Sequence, residues 1–546
     1  MEKLIGDAPL PAMNNAYPKA QDSFSRRDFV KVASLAGAAV TSGLGLGAAG
    51  ARAAPAGAQA GPAGILTPAR PLIGFQAEVP YVMEFGVERF LDDVQSRASV
   101  NALFLHGDLY NASWNGLDKA SHPTGKFAAA NPQYYRDVAM SPQGLGPGDF
   151  DFPKAMHAIT AAGRRRGMKI FSWVIEDNRA QLPIEGMDRL YEVDLHGRRT
   201  DGHPGGPCLN NPYFRNLLAG EIEDHVRSYD VDGLQRGSER QGPLSNALGA
   251  WHHGSTSDPG RVSCFCDYCI AKAKKQGIDT ERVRQGFLAL EPYVRNGRAG
   301  RRPADGYYVE FWRILLRHPE LLAWQTFWSD SMRETQREIY AKVKSIKPDI
   351  PVGFHIWQNA SFNPIYRAEQ DYKGYLDYSD FLKPVVYDNP AAERMASYIY
   401  SVTQNIYGDL GRQQALDFEY SLMGFAEKPY DEIIGGSESA YEAQLRRLPV
   451  NDTPTPERRF ARFSSDYVLR ETRRAVEVAA GSRTQIWPGL GVDVIEKNST
   501  PESVAGAVGA IFKGGGTGMI ICTSHAAMRP ENLSAVGTAL RELKLA

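Results

Sequence analysis

The chain carries only five cysteines in 546 residues, too few for a fold built on disulfides. It lacks an excess of charge of either sign, with 62 Lys and Arg against 63 Asp and Glu. That balance gives no pull towards nucleic acid or an anionic membrane surface. Past residue 53 no apolar run approaches the roughly 20 residues of a membrane span, so stable membrane insertion is not expected. Internal repeats are missing, and so is low-complexity sequence beyond residue 70. No Gly-rich phosphate turn follows an early strand, which weighs against a doubly wound dinucleotide-binding sheet. The run Gly514-Gly515-Gly516 comes just before the last expected strand, on the wrong side for that role.

The N-terminal segment has a distinct layout. Ser25-Arg26-Arg27-Asp28-Phe29-Val30-Lys31 leads into an Ala- and Gly-rich, weakly apolar run that ends at Ala51-Arg52-Ala53. Paired arginines, a modest apolar region and a small-x-small site form the pattern of a twin-arginine export signal. Residues 1–53 are therefore expected to be a removable signal, 54–70 a linker and 71–546 the functional domain. The twin-arginine export machinery is the expected partner, and the periplasm or the exterior the expected location.

From residue 71 short apolar runs alternate with segments of helical period. Strands are expected at 73–77, 102–106, 169–175, 233–236, 352–357, 381–387, 485–492 and 517–522. Helices are expected at 87–97, 153–166, 213–229, 334–346, 466–480, 501–512 and 530–543. This order predicts an α/β fold, a (β/α)8 TIM barrel. The connections after the second, fourth and sixth strands are far longer than ordinary loops. In a barrel they would wall the C-terminal face, where active sites are built.

Several strand ends carry acids. The fourth exits through Ser238-Glu239-Arg240-Gln241-Gly242-Pro243, and a carboxylate at that point reads as catalytic; an ion pair among Glu239, Arg240 and Arg236 is the bland alternative. Asp108, Glu176, Asp388 and Asp493 stand at the ends of the second, third, sixth and seventh strands. Asp232, before the fourth strand, reads as structural. Glycoside cleavage needs two carboxyl groups across the scissile bond, one protonated and one ionised. Glu239 is the expected acid/base; Asp493 is the preferred partner, followed by Asp388 and Glu176. His106, Asp108, Trp173, Arg240, His355, Trp357 and Tyr387 are expected to contact substrate, since sugar faces stack on aromatic rings. A carbohydrate is thus the expected substrate, and no cofactor is expected for catalysis.

The cysteines are clustered. Cys264-Phe265-Cys266-Asp267-Tyr268-Cys269 is a C-x-C-x-x-C run, and Cys208 lies on a separate segment. Four thiolates can close a tetrahedral structural Zn²⁺ site. Disulfides, which an exported protein permits, and free thiols are the alternatives. Cys522 reads as a small buried residue.

Taken together, Cys208-Leu209-Asn210-Asn211-Pro212-Tyr213, Asp230-Val231-Asp232-Gly233, Glu239-Arg240-Gln241-Gly242-Pro243 and the C-x-C-x-x-C run resemble barrel glycoside hydrolases. The resemblance is to bacterial hypothetical glycoside hydrolases distantly related to the β-galactosidases of family forty-two. It implies an acid/base glutamate at Glu239 and a zinc knot at the cysteines. Two positions depart from it. Ser238 stands where the wider clan has Asn. Asp493 stands where that clan has a nucleophilic Glu, with Glu496 three residues on, and this favours a wider carboxyl gap and an inverting route. A non-catalytic exported carbohydrate-binding barrel and a sugar lyase or isomerase are the competing functions.

Overall fold

The computed structural model describes residues 70–106, 130–135, 151–176, 187–200, 206–250, 258–447, 460–494, 498–522 and 524–546, with backbone alone at 175, 176, 187, 188 and 443–447. The twin-arginine segment and the linker up to residue 69, with Asp108, lie outside them. Residues 63–546 group as one unit.

Among the described residues nine parallel strands make one sheet. They are β1 (Leu72–Glu78), β2 (Ala102–His106), β3 (Lys169–Glu176), β4 (Gly233–Ser238), β5 (Val352–Ile356), β6 (Phe381–Pro384), β7 (Gln485–Ile486), β8 (Gly489–Gly491) and β9 (Gly518–Cys522). The spatial order is β7-β6-β5-β4-β3-β2-β1-β9-β8. The seventh strand expected from sequence is here two pieces, β7 and β8. Pro488 sits between them and has no N–H to give to a ladder. β7 pairs with β6 and β8 with β9. Across the break the Trp487 N–H donates to the Leu382 carbonyl (2.9 Å) and the Ile520 N–H to the Pro488 carbonyl (3.0 Å). Val385 and Gly489 form a parallel bridge. These bonds join the two ends of the sheet, so it closes as an eight-position α/β barrel.

The outer layer follows the helical period. Helices run over Val87–Ala98, Phe152–Arg165, Pro212–Ser228, Glu320–Ile346, Ser465–Ala479, Pro501–Lys513 and Pro530–Glu542. Their starts are marked by side-chain caps. Asp151 accepts from the Lys154 N–H, Asn211 from that of Tyr213, Ser464 from that of Asp466 and Thr500 from that of Ser503; each satisfies a donor the first turn leaves open. After β5 the connection, for which no helix is expected from sequence, runs through a short helix, Pro364–Glu369, and a 3-10 segment, Tyr372–Tyr378. The helix before β5 begins at Glu320, well ahead of the expected 334. The long connection after β4 is itself helical, with Pro243–Ala247, Asp267–Lys275, Thr280–Arg298 and Tyr307–Arg317. Among the described residues no helix is long and apolar enough to cross a membrane.

The lower interior is packed by rings set against glycines. Phe104 stacks on Phe171 (4.4 Å) and Phe381 on Trp487 (4.1 Å). A Cβ on Gly74 would lie 2.5 Å from Phe104, one on Gly233 2.3 Å from Phe171 and one on Gly353 2.4 Å from Phe381. Rings thus come in stacked pairs on neighbouring strands, each ring set against a glycine of the strand on its other side or beside it, which fills the narrow barrel at core density.

Candidate active site in the barrel mouth

Strand alternation puts residues two apart on one face. Counting up from Phe171, Gly353 and Phe381 brings Trp173, His355 and Lys383 to the next inner layer. Glu239 leaves the C-terminal end of β4 above it. Its Oε1 lies 3.2 Å from His355 Nε2, and its side chain keeps 15% exposure.

Lys383 organises this layer. It is fully buried in the middle of β6. Its Nζ donates to Gln76 Oε1 (3.0 Å), to the Tyr387 hydroxyl (3.0 Å) and to His355 Nδ1 (3.3 Å). An ammonium has three protons and three acceptors meet it. Receiving at Nδ1 leaves the proton of His355 on Nε2, which lies close to Glu239 Oε1 without hydrogen-bond alignment. Burial, helped by the Lys383 charge, pulls the His355 pKa down to about 4, so the ring is neutral near pH 7. Burial also lowers the Lys383 pKa, with the thiol of Cys522 and the charge of Glu239 acting against it. A second cation is close: burial lowers the Arg394 pKa and Glu239 opposes that shift. Arg394 donates to Gln358 Oε1, and Gln358 donates to the Tyr387 carbonyl (2.6 Å) and the Tyr467 hydroxyl (3.0 Å).

The walls are aromatic. Trp173 stacks on His106 at 4.8 Å, and Lys383 Nζ lies 6.0 Å from the Trp173 ring and 5.4 Å from that of Tyr387. Trp173 Nε1, Gln76 Nε2 and both amide atoms of Gln235 are buried and have no hydrogen-bond partner among the described residues. Buried polar atoms are normally paired, so this layer has spare capacity for polar guests.

The loop after Glu239 is pinned at every step. Arg240 Nη1 donates to the Pro207 carbonyl (2.7 Å) and faces Glu192 Oε1 at 3.5 Å. Gln241 Oε1 accepts from Asn359 Nδ2 (2.8 Å). Glu369 accepts from the Gly242 N–H (2.8 Å) and the Ser245 hydroxyl (3.1 Å). Burial pushes the Glu369 pKa up to about 7.

The residues expected from sequence divide. Glu239, His355, Tyr387, Trp173 and His106 meet at the mouth. Asp493 does not join them. It takes a left-handed backbone (φ 50°), and its carboxylate accepts from the Arg529 N–H (2.9 Å), Arg529 Nη2 (3.0 Å) and Asn532 Nδ2 (2.9 Å). With its side chain wholly buried, Asp493 anchors the last helix to the β8 exit. Asp388 pairs with Arg462 at 2.5 Å; burial raises its pKa to about 6. The Arg240 guanidinium turns to Glu192 and Pro207 rather than to a substrate. Trp357 packs edge-on to Tyr366 (5.8 Å) among the residues that join the barrel to its outer helices. Glu176 ends β3 with its Cα in register with Ser238, while its side chain and all of Asp108 lie outside the described residues. Asp232 accepts from the Ile170 N–H (2.8 Å) at the opposite end of the sheet.

Sequence reading missed Lys383, Gln76, Gln235, Arg394 and Glu369. A signal for the first was there: Lys383 interrupts the apolar run Phe381-Leu382-Lys383-Pro384-Val385 on the parity of Phe381.

The four cysteines of the cluster form a second centre. Cys208 Sγ is 3.5 Å from Cys266 Sγ and 3.4 Å from Cys269 Sγ, and all four sulfurs, Cys264 included, lie within 4.8 Å of one another. None is in a disulfide. The Val193 N–H points at Cys264 Sγ (3.4 Å) and Asn210 Nδ2 at Cys269 Sγ (3.3 Å), donors of the kind that stabilise thiolates. Four sulfurs converging on one point, three buried and one half-buried, fit a closed tetrahedral metal site.

No family model matches the chain, and no curated protein matches it. Among solved structures it is similar to the PgaB glycoside hydrolase domain from Bordetella bronchiseptica (11% identity, TM-score 0.43, covering 87% of this chain and 98% of that one). It is similar to the β-galactosidase of Marinomonas ef1 (10%, TM-score 0.45), of which it spans 59% while 87% of this chain is covered. It is also similar to the β-amylase catalytic domain from Paenibacillus polymyxa (10%, TM-score 0.42, covering 87% of this chain and 97% of that one).

Proposed function

We propose that this chain is an exported glycoside hydrolase, distantly related to the family forty-two β-galactosidases, in which Glu239 is the acid/base. The observation that carries the reading is the Lys383–His355–Glu239 line. A carboxyl group at the C-terminal end of a barrel strand is held 3.2 Å from a neutral imidazole, which is itself fixed by a buried ammonium. Lys383 and Arg394 place positive charge close to the Glu239 carboxylate. A sugar seated over Glu239 excludes water, makes the carboxylate charge more costly and favours proton uptake before the leaving oxygen departs. Glu239 then donates to the glycosidic oxygen, and His355 Nε2–H steadies the carboxylate that remains. Trp173 and His106 offer a stacked platform to one face of the ring.

The second carboxyl group is proposed to be Glu176. It ends the neighbouring strand one residue out of register with Glu239, whereas Asp493 and Asp388 are engaged elsewhere. The four cysteines are proposed to hold a structural zinc, whose chemistry is to cross-link two loops with no open position. Residues 1–53 are proposed to direct twin-arginine export and to be removed.

The test is hydrolysis across a panel of aryl glycosides and oligosaccharides, run beside calorimetric binding of the same sugars. At least one glycoside should be cleaved, and Glu239→Gln should bind the matching oligosaccharide while its turnover on that poor leaving group collapses. Binding without turnover by the wild type would identify a carbohydrate-binding barrel instead, and neither binding nor turnover would reject a sugar substrate.

A further inference from the structure

Arg240 directly follows Glu239, yet its guanidinium points away from the mouth and into the ground beneath the cysteine cluster. Its side chain is 5% exposed and the facing Glu192 side chain 4%. Arg240 Nη1 donates to the carbonyl of Pro207, the residue before Cys208 (2.7 Å). Glu192 Oε2 accepts from the hydroxyl of Ser263, the residue before Cys264 (2.6 Å). The segment holding Glu192 is stitched to both cysteine loops. The Cys208 N–H donates to the Leu190 carbonyl (2.7 Å), the Glu192 N–H to that of Gly206 (2.9 Å) and the Phe265 N–H to that of Val193 (2.7 Å). Space for the guanidinium exists only because residue 206 is glycine: a Cβ there would lie 2.5 Å from Arg240 Nη2.

One buried arginine therefore holds both cysteine-bearing segments, one directly and one through Glu192, and it is covalently next to the acid/base. Losing one member of a buried ion pair leaves an uncompensated charge. Any shift of the two loops is passed to the Arg240 backbone and so to Glu239. We propose that Arg240 is a positioning residue through which the filled or empty state of the Cys208, Cys264, Cys266 and Cys269 cluster sets the orientation of Glu239. This rests on the reading of Glu239 as acid/base. It adds to a structural zinc site a route by which metal loss switches off the mouth while the barrel stays folded.

Hydrogen exchange, metal content and kinetics of the full chain, zinc-loaded and chelator-stripped, test it. In the wild type, stripping should raise exchange over 236–248 and leave 72–78 unchanged. It should lower kcat roughly 10²-fold, the cost of a misplacement of about 1 Å, with KM held. Arg240→Met should keep one zinc per chain, show the raised exchange already, and gain nothing more on stripping. Arg240→Lys, which retains a charge and a donor, should recover most of the loss. Should Arg240→Met fold poorly, Glu192→Gln gives the same comparison, since its amide oxygen still accepts from Ser263. Failure to bind zinc, an unmoved 236–248 segment on stripping, or effects of Arg240→Met and stripping that simply add would each overturn the proposal. Exchange that responds in a protein cleaving no glycoside would reject the glycosidase reading and leave the coupling standing. Cleavage without the exchange response would do the reverse.

Discussion

The two inner layers of the barrel are built by one rule and behave as opposites. In the lower layer the inward positions hold Phe104, Phe171, Phe381 and Trp487, all 5% exposed or less, and glycines make room for the rings. One step up the strands, the same positions hold Gln76, Trp173, Gln235, His355 and Lys383, just as deeply buried and mostly polar. Burial is therefore not what separates core from site here. The lower layer gains from every group removed from water. The upper layer loses from it and recovers part through the three hydrogen bonds of Lys383. A fold keeps such a layer when chemistry needs it.

That contrast can be broken from below with the largest expected effect on stability. Phe171→Ala removes the ring stacked on Phe104 and should cost about 3–5 kcal/mol, read as a lower denaturation midpoint, while kcat per folded molecule stays near wild type. An equal fall in kcat would show that the lower layer is not simply core. From above, Lys383→Met should change stability much less, since a buried cation is traded for an apolar chain of similar length. Its mark should be on the pH profile. Removing a positive charge near Glu239 favours its protonated form, so the alkaline limb of kcat/KM, set by the essential acid, should move to higher pH. An unmoved limb would detach Lys383 from Glu239.

Glu369 gives a smaller, sign-specific test. Its folded pKa, about 7, lies above the unfolded carboxyl value. Its contribution to stability is thus fully present below the unfolded pKa and is lost as pH rises through 7. Glu369→Gln should therefore stabilise at pH 8, by about 1–2 kcal/mol once the altered bonds to Gly242 and Ser245 are counted, and do little at pH 5. His355 runs the other way. Its folded pKa of about 4 is depressed, so the stability of the neutral ring is complete above the unfolded histidine value and fades as pH falls from there towards 4. Thermal midpoints across pH 4 to 8, for the wild type and for Glu369→Gln, check both signs.

Sequence carried the barrel well because periodicity and strand-end punctuation are local. All eight expected strands are present, and only Pro488 divides one. The cysteine cluster was equally legible, since its C-x-C-x-x-C spacing brings three sulfurs together unaided. What could not be read were the partners that tertiary structure assigns. Asp493 looks like any strand-end acid until Arg529 and Asn532, more than thirty residues on, claim its carboxylate. Arg240 looks like a substrate contact until Glu192 and Pro207 turn it away. Lys383 was hidden inside an apolar run, where only the parity of the strand reveals that it faces inward.

The most direct measurement is the dependence of Glu239→Gln on the leaving group. The amide keeps the shape of the carboxyl but has no proton to give. On the natural glycan, or an alkyl glycoside of the preferred sugar, the variant should lose roughly 10² to 10⁴ in kcat. On an activated aryl glycoside of the same sugar, whose leaving oxygen needs no proton, the loss should be far smaller. Equal losses on both substrates, or near wild-type activity on the alkyl glycoside, would contradict the assignment of Glu239 as the acid.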